Sequence, residues 1–267
     1  MKKGKKLIAF IMAAVFVWLT AASTPVEAKE LTASQIMKKA AATSSKIKNY
    51  TSKTDIAITM KYNGTPYAIK LTQKMNYIKK PFKAKSEITV QVQGEKQKTT
   101  CYFVKKGSKV YTYEKSGGKW TKSLLDEQSG NLLINSDPGA AVKSNLKGLK
   151  NVKLKNKNAK VSGRKAYVIT ADIALDKVAQ IDNTDIIGNT DIIDLSQFAG
   201  KKLTVTYWID KKTYYPLKCS IDMKGLYQTL MGAFAGSEDL QITKCSASVT
   251  YSKINKTSSF KLPSGVK

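Results

Sequence analysis

Apolar and polar residues alternate with a period of two through most of the chain, and Gly, Asn, Pro and Lys turns cut the alternation into short runs. Ile56, Ile58, Met60 and Tyr62 share one face, Asn63-Gly64 supplies a tight turn, and Tyr67, Ile69, Leu71, Met75 and Tyr77 line the returning strand, which predicts a β-hairpin. Lys79, Lys80 and Pro81 end it. A strand through Ile88, Val90 and Val92 stops at Gly94-Glu95, and others follow over 101–104 and, after the Lys106-Gly107 turn, over 110–113. The second half repeats the pattern over 152–154 and through Tyr167, Ile169, Ala171, Ile173 and Leu175. It continues over 203–209, over 217–223 after the Asp210-Lys211-Lys212-Thr213 turn, and over 242–251.

Helical signals are fewer. Thr32 with Gln35 matches a capping box, and Ile36, Ala40 and Ile47 recur on one side of a helix running to about Lys48. Asp137-Pro138 separates 123–134 from 139–146, two short helices or one broken one. A third candidate spans 226–235. About ten strands in meander order, with helices between groups, predict a mainly β (α+β) chain built on one antiparallel sheet curled around helices. No Pro/Ser/Gly-rich linker divides 29–267, so the reading is a single domain.

The N-terminus changes the compartment. Four lysines precede an uncharged stretch of 16 residues, Leu7 to Ala22, and the small-residue ending Val26-Glu27-Ala28 follows. This is the grammar of a secretory signal over 1–28, cleaved before Lys29, with a retained anchor as the alternative. The expectation is an extracytoplasmic protein of a bacterial envelope.

Composition then removes much chemistry. There is no histidine among 267 residues, which excludes Ser/His/Asp and Cys/His nucleophiles, an imidazole base and His-containing zinc sites. No Gly-rich phosphate loop occurs, and no Asp or Glu stands in a catalytic-looking context, so the chain is read as a non-enzyme without a cofactor. Lys and Arg number 46 against 19 acidic residues, a formal charge of +27; removing 1–28 leaves 42 against 18, or +24. Arg164 is the single arginine. Lysine is a hydrated point charge without the planar fork that reads bases, so specific nucleic-acid recognition is not expected. The charge fits a solvated surface, or an anionic membrane face or wall polymer.

Two further features invite chemistry. Asn183-Thr-Asp-Ile-Ile-Gly188 is repeated as Asn189-Thr-Asp-Ile-Ile-Asp194, reading as a duplicated linker or amphipathic helix rather than a calcium loop. Cys101, Cys219 and Cys245 show no metal spacing. If the strands bearing Cys219 and Cys245 pair with residue numbers summing to 464, those two face each other and form a disulfide, leaving Cys101 unpaired; the alternative is two small buried residues.

The phrase Trp208-Ile-Asp-Lys-Lys-Thr-Tyr-Tyr-Pro-Leu-Lys218, the ending Phe260-Lys-Leu-Pro-Ser-Gly-Val266 and the opening helix followed by a strand resemble the LolA-like superfamily of periplasmic and cell-surface lipoprotein or lipid carriers, which includes the mycobacterial LppX and LprG type. The chain departs from those in lacking a lipid-attachment Cys and the arginine that outer-membrane carriers use on their cargo. The resemblance implies a half-barrel whose concave face, covered by helices, holds apolar cargo. On that reading Ile58, Met60, Ile69, Leu71, Ile88, Val90, Tyr167 and Ile169 form the pocket wall for a lipid-like ligand. Leu226, Leu230, Met231 and Phe234, from an uncharged stretch over 226–236, stand at its mouth as a lid or a buried helix. The competing function is a surface interaction protein held electrostatically to anionic membrane or wall polymer.

Overall fold

The computed structural model describes residues 30–116, 118–174, 200–228 and 240–264. Ala33–Lys267 forms one compact unit, to which every element belongs. Helix α1 (Ala33–Ala41) and a 3-10 turn (Ser44–Lys46) lead into β1 (Asn49–Tyr62), β2 (Thr65–Ile78), β3 (Lys83–Val92), β4 (Glu95–Lys106), β5 (Lys109–Ser116) and β6 (Lys119–Leu124). After α2 (Glu127–Ile134) and α3 (Pro138–Asn145) come β7 (Leu149–Val161), β8 (Arg164–Ala174), β9 (Lys202–Asp210), β10 (Pro216–Asp222) and β11 (Leu240–Ser252).

All eleven strands join one antiparallel sheet in the order β6-β5-β4-β3-β2-β1-β11-β10-β9-β8-β7. Paired strands are neighbours in sequence everywhere except at the centre, where β1 pairs with β11 over Thr51–Tyr62 and Leu240–Ser252, and the sequence neighbours β6 and β7 form the two edges. The sheet curls without closing: a half-barrel, mainly β. The Asn63-Gly64 turn has both residues at positive φ, 48° and 76°, as a two-residue hairpin demands.

The opening helix is shorter than its capping box suggests. The Thr43 hydroxyl donates to the Ala40 carbonyl at 2.6 Å, the competing bond by which Ser and Thr end helices, and the chain tightens into the 3-10 turn. Residues 119–124, the first four of which fall outside the expected elements, form β6. Helix α2 starts only at Glu127, where the Asp126 side chain accepts the Ser129 amide at 2.8 Å. Asp137 caps α3 in the same way through Ala140, with Pro138 in the first turn. β7 reads poorly in sequence because Lys and Asn crowd it, and its pairing with β8 shifts register three times.

The helices lie on one face of the sheet, the inner one, which bears Tyr50 and Tyr77. Ile36, Met37 and Ala40 of α1 are wholly buried, and α1 packs against α3, β7 and β9. Helix α2 packs against β5 and α3 against β10. Gly139, on the first turn of α3, lies so close to the 3-10 turn that a Cβ there would stand 2.5 Å from the Ser44 amide nitrogen. The buried core, centred on Ile47, Tyr50, Tyr77, Phe82, Ala84 and Leu217, lies between these helices and the sheet.

Candidate functional site: the uncovered inner face

Because strand residues alternate faces, the register fixes which side chains share the inner side. Ile58 stands opposite Ile69, which stands opposite Val92; Ile56 opposite Leu71, then Val90; Met60 opposite Tyr67. On the other flank Ile56 faces Ala247, which faces Ile221, which faces Val205. Every inward residue of β1, β2, β3, β10 and β11 is uncharged. The result is a continuous apolar surface several strands wide.

This surface is only partly covered by the described residues. At the helix-bearing end the inward side chains are wholly buried, whereas Ile56, Ile58, Met60, Ile69, Leu71, Ile88, Val90, Ala247 and Val249 are half-buried. Three of the four large exposed apolar side chains of the described residues, Tyr62 (47 %), Tyr67 (39 %) and Val92 (45 %), border it at the hairpin tips. The helical turn at 224–228 touches one corner: Ile58, Met60, Ile221 and Tyr227 pack with Met223, Ile242 and Cys245. Gln228 holds that turn to the start of β11, its Oε1 accepting the Ile242 amide at 2.6 Å and its Nε2 donating to the Leu240 carbonyl at 3.2 Å. Burial, and then Cys245, raise the Tyr227 hydroxyl above its ordinary range, so this corner is apolar and neutral.

Of the residues expected to line a pocket, Ile58, Met60, Ile69, Leu71, Ile88 and Val90 share this face. Ile169 lies on the same side but is wholly buried opposite Tyr207, within the packed core. Tyr167 is set away from them at the β8 start, its ring 5.2 Å from the Lys211 ammonium. Leu226 is 3 % exposed. Leu230, Met231 and Phe234, the duplicated Asn-Thr-Asp-Ile-Ile segment and the signal over 1–28 lie outside the described residues. Ile56, Val92, Tyr62 and Tyr67 belong to the surface through the alternation that placed their neighbours, whereas Ala247, Val249 and Ile221 join it only through the β1–β11 pairing. Two hollows occur elsewhere and use none of these side chains: one of about 330 Å³ between Val110, Leu125 and Gly130, the other of about 320 Å³ under the Lys211–Thr213 turn. The apolar face is an open surface among the described residues, not either of these hollows.

The cysteine pairing expected from the sequence is not formed. β10 and β11 pair with residue numbers summing to 468, not 464, so Cys219 faces Val249 and the Cys245 carbonyl accepts the Met223 amide at 2.8 Å. The two cysteines are four residues apart along the strands, about 13 Å, beyond the reach of a disulfide. All three thiols are free. Burial pushes Cys219 up to about 12 and Cys245 up to about 11.

The Asp210-x-x-Thr213 turn is a structural device. Asp210 Oδ1 accepts the Thr213 amide (2.7 Å), the Thr213 hydroxyl (2.8 Å) and the Lys212 amide (3.1 Å), while Oδ2 accepts Arg164 Nε at 2.9 Å. The single arginine also donates to the Thr213 hydroxyl at 3.1 Å, tying the β7–β8 turn to the β9–β10 turn. Among the described residues no helix is long and apolar enough to cross a membrane.

Comparison with solved structures finds similarity across most of the chain. LprF from Mycobacterium bovis is 14 % identical with a TM-score of 0.48, over 87 % of this chain and 96 % of that one. A LolA superfamily protein from Nitrosomonas europaea is 11 % identical with a TM-score of 0.26, over 87 % and 96 %. A putative outer membrane lipoprotein-sorting protein domain from Vibrio parahaemolyticus is 11 % identical with a TM-score of 0.27, over 82 % and 91 %. No curated protein matches the sequence. The family described as a family of unknown function, DUF6612, matches residues 32–267, and the chain belongs to it.

Proposed function

We propose that the chain is an exported cell-envelope binding protein that holds an apolar or amphipathic, lipid-like ligand against the inner face of its half-barrel and does not transform it. The observation that carries the reading is the uncharged face of Ile56, Ile58, Ile69, Leu71, Ile88 and Val90, half-buried and bordered by exposed Tyr62, Tyr67 and Val92. A contiguous apolar surface that no helix of the described residues covers is a site for an apolar partner. Each methylene buried there contributes about 0.8 kcal/mol, so an acyl chain gains useful affinity from the face alone. The non-enzymatic reading rests on the same chemistry: the face offers a bound molecule no carboxylate, lysine or imidazole, and the Cys245 thiol at its corner is buried and held protonated.

Titration with a fluorescent long-chain fatty acid tests it. The expected result is saturable binding that changes less than about twofold between low and high salt, since burial of apolar surface is not screened. Binding that salt abolishes, or no saturable binding, contradicts the reading.

A further inference from the structure

The lysine excess is unexplained by an apolar inner face, and the register shows where part of it goes. On the outer face one row crosses nine strands from β4 to β7: Lys98, Thr89, Thr72, Asp55, Ser248, Ser220, Thr206, Thr170 and Lys153, each opposite the next. Six of its nine members carry a hydroxyl and both ends are lysines. The rows on either side supply more charge. Lys96 and Lys70 flank it on one side; Lys74, Lys53 and Lys218 flank it on the other. These seven lysines lie on or beside one hydroxyl row, against four carboxylates: Asp55, Glu87, Asp172 and Asp222, of which Asp172 is paired with Lys202 at 2.8 Å. Asp55 is held by Lys53 at 2.9 Å and by the Thr72 hydroxyl at 3.0 Å, and Glu87 by Lys85 at 2.6 Å. Lys70, Lys96 and Lys98 are exposed and have no ion-pair partner among the described residues.

Strand spacing sets the dimensions. Nine strands about 4.8 Å apart make a row about 38 Å long, with lysines about 7 Å to either side where they lie two residues away. Such a row matches an extended chain that bears negative charge at short regular intervals and has oxygens to accept from hydroxyls. It does not match a bilayer, because none of the exposed large apolar side chains, Tyr62, Tyr67, Val92 and Leu124, lies on the row to insert. Nor does it match base readout, since the lysine ammonium is a point charge without a planar fork.

We propose that this hydroxyl row with its lysine borders is a second site, on the opposite face from the ligand surface, which binds a linear phosphodiester polymer. Lysine ammoniums neutralise the phosphates, and the hydroxyls of Thr89, Ser248, Ser220, Thr206 and Thr170 donate to phosphate oxygens between them, while that of Thr72 stays on Asp55. The site is independent of the apolar face and stands or falls separately from it.

The test is affinity for synthetic poly(glycerol phosphate), measured at fixed salt beside vesicles containing phosphatidylglycerol. Three proteins are compared with the unaltered chain. The first carries Lys70→Glu, Lys74→Glu, Lys96→Glu and Lys98→Glu. The second has the same charge change away from the row, at the exposed Lys38, Lys143, Lys147 and Lys224. The third, Ser220→Ala with Thr206→Val, alters no charge. The proposal expects at least a tenfold loss of polymer affinity in the first, less than threefold in the second, and a threefold or greater loss in the third. Equal losses in the first two overturn it, because the attraction is then a property of net charge. So does a first variant that loses vesicle binding but keeps the polymer, or a third variant that binds like the unaltered protein.

Discussion

Tyr50 and Tyr77 stand directly opposite each other on β1 and β2 with their rings stacked 4.7 Å apart at 18°, and both hydroxyls donate to backbone carbonyls at the α2–α3 junction, Tyr50 to Ser136 at 2.7 Å and Tyr77 to Ile134. This pair fastens the described helices α2 and α3 to one end of the inner face. Burial raises both hydroxyls above tyrosine's ordinary range, so they remain protonated donors at any physiological pH.

Removing either hydroxyl tests that fastening. Tyr50→Phe and Tyr77→Phe each keep the ring and should each cost about 1–3 kcal/mol by leaving a carbonyl short of its donor. The double variant should cost less than the two together, since both bonds hold one junction. Urea unfolding measures all three; no loss in either single variant would contradict the role.

Gly139→Ala is expected to destabilise by about 1–3 kcal/mol through overpacking, because its Cβ would meet the backbone of Ser44 rather than a flexible side chain. Gly225→Ala is the comparison: a Cβ added there meets no atom within 4 Å and its φ is outside the left-handed region, so thermal unfolding should register a clearly smaller change.

Acid should weaken the β9–β10 turn. Burial acts to raise the Asp210 carboxyl, but the hydroxyl and amide of Thr213 and the Arg164 guanidinium outweigh it and hold the group below the usual carboxylate range. Asp172, bonded by Asn151, Lys202 and Thr204, is likewise held at about 2. A lowered folded-state value means the contribution is complete well above the unfolded value of about 4 and is lost as pH falls through that value and below. Stability measured from pH 6 to pH 2 should therefore fall, and Asp210→Asn should flatten that fall while lowering the plateau.

The free thiols make a redox prediction. Unreduced protein, unfolded in denaturant, should take three alkyl groups by mass. Folded protein should react slowly, because burial raises Cys219 and Cys245 far above neutral pH. A single alkyl group on the unfolded, unreduced chain would restore the disulfide that the register excludes.

Local alternation carried much of this fold. The Asn63-Gly64 hairpin, the Asp210-x-x-Thr213 turn and the inward placement of Ile58, Ile69, Leu71, Ile88 and Val90 all follow from period two and turn chemistry, which act over a few residues. What was not legible depends on distance along the chain. The β1–β11 pairing brings Ile56 against Ala247, and a four-unit difference in the β10–β11 register separates Cys219 from Cys245; no local rule sets either. Ile169 and Leu71 look alike in sequence, yet among the described residues Ile169 is wholly buried and Leu71 only half-buried. β6 was missed because Lys119–Leu124 alternates too briefly to stand out from the helix that follows.

The central claim is a ligand on the apolar inner face, and native mass spectrometry of the protein purified from its own envelope, followed by organic extraction, tests it most directly. Leu71 is half-buried on that face, so Leu71→Asp should leave the fold intact while charging the surface. The account predicts a lipid-sized mass on the unaltered protein, released by solvent, and its loss from folded Leu71→Asp. An unaltered protein that flies at its bare mass with nothing to extract, or a Leu71→Asp variant that retains the same adduct, would contradict it.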